Sequence, residues 1–375
     1  MNDSGASLVL ASEKLESKAQ EVLKLDIQAK PTYSQIHKIL DVRPADDITF
    51  EDMSDSVGGM MLYTSGTTNR PKGVIIPTSA LRAQAQSLAQ AWEYSTSDRL
   101  LHVLPLHHIH GCMNALLTPL YAGSSIEFMF PMKPDAVWSR LSAPFMQSNG
   151  DKKEKITFLT IVPAIYSRLL DHYKTMSPEE QEAASKGVSP ENMRLNISGS
   201  AALPTPTKQA WAKISHGNVI LERFGMTEIG MGISCGLAFE DRVDGSVGWP
   251  LPYVEARLVD TDTNEVIKEG EELDKDGKER SGEIQIRGPV VFKEYWQKPE
   301  ATAAEFVEAD DGKGKWFKTG DVAVRRHVEN AGKGNSGDWA KGPMYFIHGR
   351  KSADIIKTGG EKVSALEIER EMLSL

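Results

Sequence analysis

The segment Tyr63-Thr64-Ser65-Gly66-Thr67-Thr68-Asn69-Arg70-Pro71-Lys72-Gly73 gathers four aliphatic hydroxyls, glycine backbone and a lysine into one turn. Amides freed by glycine, hydroxyl donors and an ammonium group together make a cradle for a polyphosphate. Met60-Met61-Leu62-Tyr63 before it and Val74-Ile75-Ile76 after it read as strands. That strand–loop–strand context differs from the strand–loop–helix of a Walker A loop. Pro71 also stands where the second Walker glycine belongs, and Gly73 replaces its Ser/Thr. The plainer alternative is a hairpin that is merely rich in Ser, Thr and Gly.

A second constellation, Phe224-Gly225-Met226-Thr227-Glu228, follows the apolar run Val219-Ile220-Leu221. Open α/β sheets bind ligands beyond the carboxyl ends of their strands. There Glu228 can hold Mg²⁺, which takes few protein carboxylates and shares phosphate oxygens; Thr227 can meet a phosphate, and Phe224 can offer a ring to a base. An ordinary strand-to-helix turn is the alternative. Arg223, next to this motif, can give a substrate carboxylate a bidentate, charge-assisted pair, or can pair structurally with Glu222 or Glu228. Leu104-Pro105-Leu106-His107-His108-Ile109-His110-Gly111 packs three histidines into four residues. Zinc is the sharp alternative there, but no Cys or carboxylate lies nearby in ligand spacing. Cys112 reads as a small core hydrophobe.

These residues must be positioned by alternating strands and helices. A helix is expected from Ala80 to about Trp92, capped by Thr78 or Ser79. Leu100–Leu104 then reads as a strand, Ala115–Tyr121 as a helix, Ser125–Phe130 and Ile156–Val162 as strands, and Ala164–Tyr173 as a helix. Leu195–Ser198 and Val219–Leu221 read as strands around a helix near Lys208–Lys213. Such alternation predicts an α/β fold with doubly wound, mostly parallel sheets. From about residue 245 the pattern turns to charge and alternation, and Val254–Val259, Gly282–Arg287 and Met344–His348 read as antiparallel strands. Ser364-Ala365-Leu366-Glu367 reads as a capping box opening a helix that runs to the last residue. Leu366, Met372 and Leu373 on it lack an evident packing partner, so the chain is expected to stop inside a unit it has only begun. The domain reading is an atypical N-terminal segment 1–52, with a helix from Ser12 to Leu25, and an α/β core 53–244. A β-rich subdomain 245–350 follows, then the start of an incomplete C-terminal α+β lid, 351–375.

With 375 residues, 40% of them hydrophobic and 25% charged, the chain can bury a large core. Its formal charge of -9 argues against a nucleic-acid-binding surface. Cys112 and Cys235 are the only cysteines, which excludes a disulfide framework and suits a reducing compartment. No apolar run has the length of a membrane span, and the first thirty residues mix acids with lysines, unlike a signal or transit peptide. The expectation is a soluble intracellular protein, cytoplasmic as the chain stands and mitochondrial if a leader precedes it. Oligomeric state is left open.

The phosphate-loop segment resembles that of the adenylate-forming superfamily of acyl-CoA synthetases, luciferases and peptide-synthetase adenylation domains. Asn69 replaces the usual glycine, and asparagine tolerates positive φ best among other residues. Further segments share the resemblance: Ser198-Gly199-Ser200-Ala201-Ala202-Leu203-Pro204, Trp316-Phe317-Lys318-Thr319-Gly320-Asp321, Gly349-Arg350, Lys357-Thr358-Gly359-Gly360 and Val363–Glu367. Together they span roughly residues 55–375. Glu222-Arg223-Phe224 resembles malonyl-CoA synthetases, in which an arginine reads the second carboxylate. The resemblance implies an acid–CoA ligase using ATP, Mg²⁺ and coenzyme A, with a malonyl adenylate formed first.

It implies Thr64, Ser65, Gly66, Thr67, Thr68, Asn69, Arg70, Pro71 and Lys72 at the phosphates. Gly199, Ser200 and Ala201 would line the adenine and acyl pocket, Asp321 and Arg350 the nucleoside, and Gly359 with Gly360 the thiol approach. Lys72, Thr227, Glu228 and His108 would be catalytic, and Arg223, His110 and Ser200 would bind the acid. His107 departs from the family's usual aromatic, and Ser352 stands where an Asp or Lys hinge is common. The lid lysine of the family is missing before Leu375, and residues 1–52 do not obviously replace the longer N-terminal portion. The alternatives are a truncated nucleotide-binding relic without turnover, or a ligase for methylmalonate or an aryl or fatty acid.

Overall fold

The computed structural model describes residues 4–36, 58–64, 71–146, 153–358 and 361–374. The chain divides into two compact units, Met1–Val57 and Gly58–Leu375. In the first, Leu8–Ser12 pairs in parallel with Thr32–Ile36, and the helix Glu16–Leu23 follows a 3₁₀ turn at Glu13–Leu15. The helix expected from Ser12 is therefore shorter, because Ser12 is spent closing the strand.

The second unit is built on a 13-stranded mixed sheet among the described residues. One half is parallel, in the order Ser125–Phe128, Arg99–His102, Phe158–Ile161, Leu195–Ser198, Leu221–Met226. The antiparallel half continues from Leu221–Met226 through Gly230–Ser234, Ser246–Pro250, Met344–Arg350, Lys315–Arg326, Gly282–Arg287 and Glu255–Asp260. Hydrogen bonding thus passes residue 245 without a break. The central parallel strands Phe158–Ile161 and Leu195–Ser198 are buried along their length, as strands covered on both faces must be. One apolar cluster joins the two halves, holding Phe158, Leu195 and Leu221 together with Ile233, Ile284 and Phe317.

A separate three-stranded sheet carries the phosphate-loop flanks. Gly59–Thr64 and Lys72–Pro77 pair antiparallel with Thr64 opposite Lys72, and Glu294–Tyr295 adds to the other edge of Lys72–Pro77. Lys72 is thus a strand residue held at the loop's exit.

Several expected elements differ in detail. The helix after the hairpin runs Thr78–Ala91 with Pro77 at its cap position. The extended backbone of Pro77 turns the chain out of the strand, so Thr78 and Ser79 become first-turn residues rather than caps. The helix expected at Ala115–Tyr121 begins earlier, as a π-helical stretch His110–Leu117 that passes into Thr118–Tyr121. A Cβ on Gly111 would lie 2.3 Å from the Pro105 carbonyl oxygen, so only glycine permits this close entry. Pro163 opens the helix Pro163–Tyr173 rather than merely ending a strand, since its missing N–H falls where no intrahelical partner exists.

The strand expected at Val219–Leu221 lies at Leu221–Met226 instead. Charged Glu222 and Arg223 hid it from a reading by apolar runs, yet both are buried by tertiary partners. No helix follows; the chain reverses into Gly230–Ser234, and Thr227 with Glu228 occupy the reversal. At the C-terminal end the helix Ala365–Ser374 follows the hairpin Ile355–Thr358/Glu361–Ser364. The Glu367 N–H donates to Ser364 Oγ at 3.2 Å, as the cap requires. The Glu367 carboxylate does not complete the box, because it faces His348 at 3.2 Å and Arg326 at 3.7 Å.

Candidate active site

A cavity of about 1050 Å³ opens where these elements converge. Its walls include Lys72 from the hairpin, His108 just before the π-helical stretch and His110 at its start, and Ser200 beyond the strand Leu195–Ser198. Arg223, Thr227 and Glu228 come from the strand and its reversal, and Arg350 from the far antiparallel strand. Thr64 also lines it.

Lys72 and Glu228 are joined by a residue with no local motif. The Tyr295 hydroxyl donates to Glu228 Oε1 at 2.9 Å, and Lys72 Nζ sits 4.6 Å from the centre of the Tyr295 ring. Burial pushes the Glu228 carboxyl above its usual range, while the Tyr295 hydrogen bond and the positive charges of Arg350 and Lys72 oppose that rise. A single buried carboxylate that is costly to leave uncompensated suits one Mg²⁺ contact shared with phosphate oxygens. Among the described residues no group of three or more His, Cys, Asp or Glu side chains can hold a metal unaided. The His107 and His108 rings lie 4.3 Å apart, with His108 exposed at the cavity, whereas His110, also at the cavity wall, is buried and meets Thr160 through Nε2. Cys112 is buried, its thiol donating to the Leu106 carbonyl at 2.7 Å.

Arg223 is 4% exposed, and no described carboxylate lies within ion-pair distance of it. The two acids expected to compete for it are otherwise engaged. Glu222 takes Lys208 at 2.9 Å, and Glu228 takes Tyr295. Among the described residues its Nε has no partner and Nη2 reaches only Ser200 Oγ, at 3.4 Å; burial brings the guanidinium pKa down to about 10. A Cβ on Gly199 would lie 2.5 Å from its Cζ, so glycine at that point is what lets the guanidinium fit.

Opposite, Thr319, Gly320 and Asp321 bulge from the strand Lys315–Arg326 between the pairs Gln285–Lys318 and Glu283–Val322. The bulge is held by Thr319 Oγ1 donating to the Ile284 carbonyl and by the Gly320 N–H donating to Glu283. Bulges re-aim side chains at functional sites. Here the bulge sets Asp321 3.2 Å from Arg350, with Asp321 Oδ2 buried and without a hydrogen-bond partner among the described residues. Burial raises the Asp321 carboxyl to about 6 against the pull of Arg350.

Some expected site residues stand back from the cavity wall. Gly199 acts through Arg223, and Asp321 through Arg350; Phe224 packs partly buried against the core rather than presenting a face to the cavity. Pro71 and Ala201 are exposed outside its lining. Ser65, Gly66, Thr67, Thr68, Asn69, Arg70, Gly359 and Gly360 lie outside the described residues. Tyr295, Glu305, Thr319 and Lys318 line the cavity and were not singled out for a role on their own. The pairing of Glu294–Tyr295 with the phosphate-loop strand, and the Phe292 N–H donating to the Glu228 carbonyl at 2.7 Å, bring Tyr295 to Glu228.

Residues 1–296 match the family described as AMP-binding enzyme. The chain belongs to that family. A CoA ligase from Gibberella moniliformis is 55% identical over 396 residues, covering 100% of this chain and 65% of that protein. The human protein named malonate–CoA ligase ACSF3, mitochondrial, is 40% identical over 385 residues, covering 99% and 62%. Among solved structures, ATP-bound MatB from Rhodopseudomonas palustris superposes with a TM-score of 0.74 at 29% identity, covering 100% of this chain and 64% of that one. The chain spans less than two thirds of the length of the relatives it matches. Within this AMP-binding family member, no described helix is long and apolar enough to cross a membrane.

Proposed function

We propose that this chain carries the chemistry of an AMP-forming acid–CoA ligase acting on malonate. The observation that carries the reading is the buried guanidinium of Arg223, which meets no carboxylate among the described residues, at the wall of the cavity that also holds Lys72 and Glu228. An uncompensated buried cation is costly, and a dicarboxylate offers it the missing anion while leaving its other carboxylate to react. A fatty or aryl acid would leave that charge unpaired. The name of the human relative supports the same substrate.

In the first half-reaction a malonate carboxylate oxygen bonds to the α-phosphorus of ATP as the bond to pyrophosphate breaks. In the second the thiol of coenzyme A bonds to the acyl carbon, AMP departs with the electron pair of the broken C–O bond, and the thiol proton passes to solvent. Lys72 would neutralise phosphate charge, Thr227 would donate to a phosphate oxygen, and Arg350 with Asp321 would hold the nucleoside. His108, exposed at the cavity wall, would border the acyl path. Mg²⁺ held through Glu228 would supply charge neutralisation on the phosphates. The rate enhancement asked of the protein is mainly orientation and preorganised charge. The human relative's name supports a mitochondrial site of action.

The test is malonate-dependent ATP–pyrophosphate exchange, in wild type and in Arg223→Ala, with propionate as the monocarboxylate control. Wild type is expected to prefer malonate, and Arg223→Ala to lose that preference by about 100-fold, the worth of a charge-assisted hydrogen-bonded pair. An unchanged preference in the variant removes the malonate assignment, and wild-type protein without exchange removes turnover by this chain.

A further inference from the structure

Behind His110 runs a buried chain of hydrogen bonds that the ligase reading does not use. The Tyr94 hydroxyl donates to Asn114 Oδ1 at 2.7 Å, and Asn114 Nδ2 donates to Thr160 Oγ1 at 3.0 Å. Thr160 Oγ1 lies 2.6 Å from His110 Nε2, and His110 Nδ1 lies 3.4 Å from Ser200 Oγ. Asn114, Thr160 and His110 are 0%, 1% and 3% exposed, so water cannot substitute for any of these partners. Burial, and then the neighbouring Arg223 charge, hold the His110 imidazole well below its usual pKa, so the ring is neutral and carries one proton.

With the Asn114 amide oriented so that Oδ1 accepts from Tyr94 and Nδ2 donates to Thr160, the proton count along the chain decides which nitrogen carries it. Thr160 already accepts from Asn114, and His110 Nε2 is the only other polar atom its hydroxyl meets among the described residues. The threonine proton therefore goes to Nε2, and the imidazole proton must sit on Nδ1, facing Ser200. Ser200 Oγ then receives two N–H groups, from His110 and from Arg223 Nη2. Its own proton is left to point into the cavity. The opposite tautomer would make Ser200 donate to His110 and turn its lone pairs toward any entering anion. Ser200 is held for this task at φ 72°, a left-handed conformation that serine adopts at a cost.

We infer that Thr160, backed by Asn114 and Tyr94, is a positioning residue that fixes the His110 tautomer and so makes Ser200 a hydrogen-bond donor to the substrate carboxylate held by Arg223. The inference rests on the acid-ligase reading for its substrate but not for its tautomer. The two 3.4 Å contacts at Ser200 are those of an unliganded site and are expected to shorten when an anion draws the hydroxyl and guanidinium together.

The test uses Thr160→Val, which keeps the side-chain shape without the hydroxyl, and Thr160→Ser, which restores it. In protein labelled with ¹⁵N-histidine, His110 (assigned by loss of its signals in His110→Gln) should show the Nδ1–H tautomer in wild type and Thr160→Ser. Thr160→Val should show the Nε2–H form or a mixture. In pyrophosphate exchange, Thr160→Val should lower the preference for malonate over propionate about tenfold, mostly through KM, the effect of one lost substrate hydrogen bond. Adding Ser200→Ala to it should cost clearly less than the sum of the two single losses, because both changes weaken the same donor. An unaltered tautomer, an unaltered preference, or additive losses in the double variant each overturn the inference. If wild type shows no malonate-dependent exchange, the ligase reading fails, and the tautomer measurement alone decides whether Thr160 sets the proton.

Discussion

Tyr295 serves two neighbours with two parts of one side chain, and the parts can be separated. Its ring lies under Lys72 Nζ, and its hydroxyl donates to Glu228. Tyr295→Phe keeps the ring and removes only the donor. Burial already raises the Glu228 carboxyl, and the lost hydrogen bond had favoured its ionised form. The variant's carboxyl must therefore hold its proton to a still higher pH. If the ionised carboxylate is the active form, the acid limb of the exchange-rate profile should move up in pH by about one unit, the worth of one hydrogen bond to a charge. Rates well above the limb should suffer least. A limb that stays in place or moves down would show that Glu228 does not control the titration.

At the scale of elements, the reversal carrying Thr227 and Glu228 is held from outside by the helix Thr78–Ala91. Gln84 on that helix, 3% exposed, accepts from the Met231 N–H at 2.8 Å and donates to the Met231 carbonyl at 3.0 Å. A Cβ on Gly230 would lie 1.8 Å from Gln84 Oε1, so the reversal and the helix touch with no room for a side chain. Gln84→Ala leaves two buried backbone groups unpaired, at a cost of about 2–4 kcal/mol. Thermal melting should show that loss. Exchange activity should fall in the part of the population that remains folded, because Glu228 loses its fixed position. A variant that melts lower but keeps full specific activity would mean that the reversal holds its shape without the helix.

Across Gly58–Leu375 the parallel and antiparallel halves share both a continuous sheet and one apolar cluster. Neither half buries its share of that cluster alone, so the two should unfold together. Native-state hydrogen exchange should give amides of Phe158–Ile161 and Gly282–Arg287 the same opening free energy. Exchange of one strand long before the other would show two independently stable pieces. The site gains from the shared sheet: Arg223 and Glu228 come from the junction strand and its reversal, while Arg350 comes from the antiparallel half, and all three face one cavity.

The residue order by itself determined the chemistry that local spacing can encode. It marked out the hydroxyl- and glycine-rich turn with its flanking strands, the Thr227–Glu228 pair, the alternating α/β pattern and the antiparallel strands beyond residue 245. Each depends on neighbours a few positions apart, where periodicity, turn geometry and side-chain donors act directly. Tertiary structure decided what those signals could not reach. It showed that Glu222 and Glu228 are engaged elsewhere and leave Arg223 with no carboxylate among the described residues, and that Tyr295 meets Glu228 from 67 residues away. It also placed Thr160 behind His110 at a separation of 50 residues. Contacts at such distances depend on sheet register and on which face of a strand is buried. They involve the chain closing on itself, and no window of local sequence contains that information.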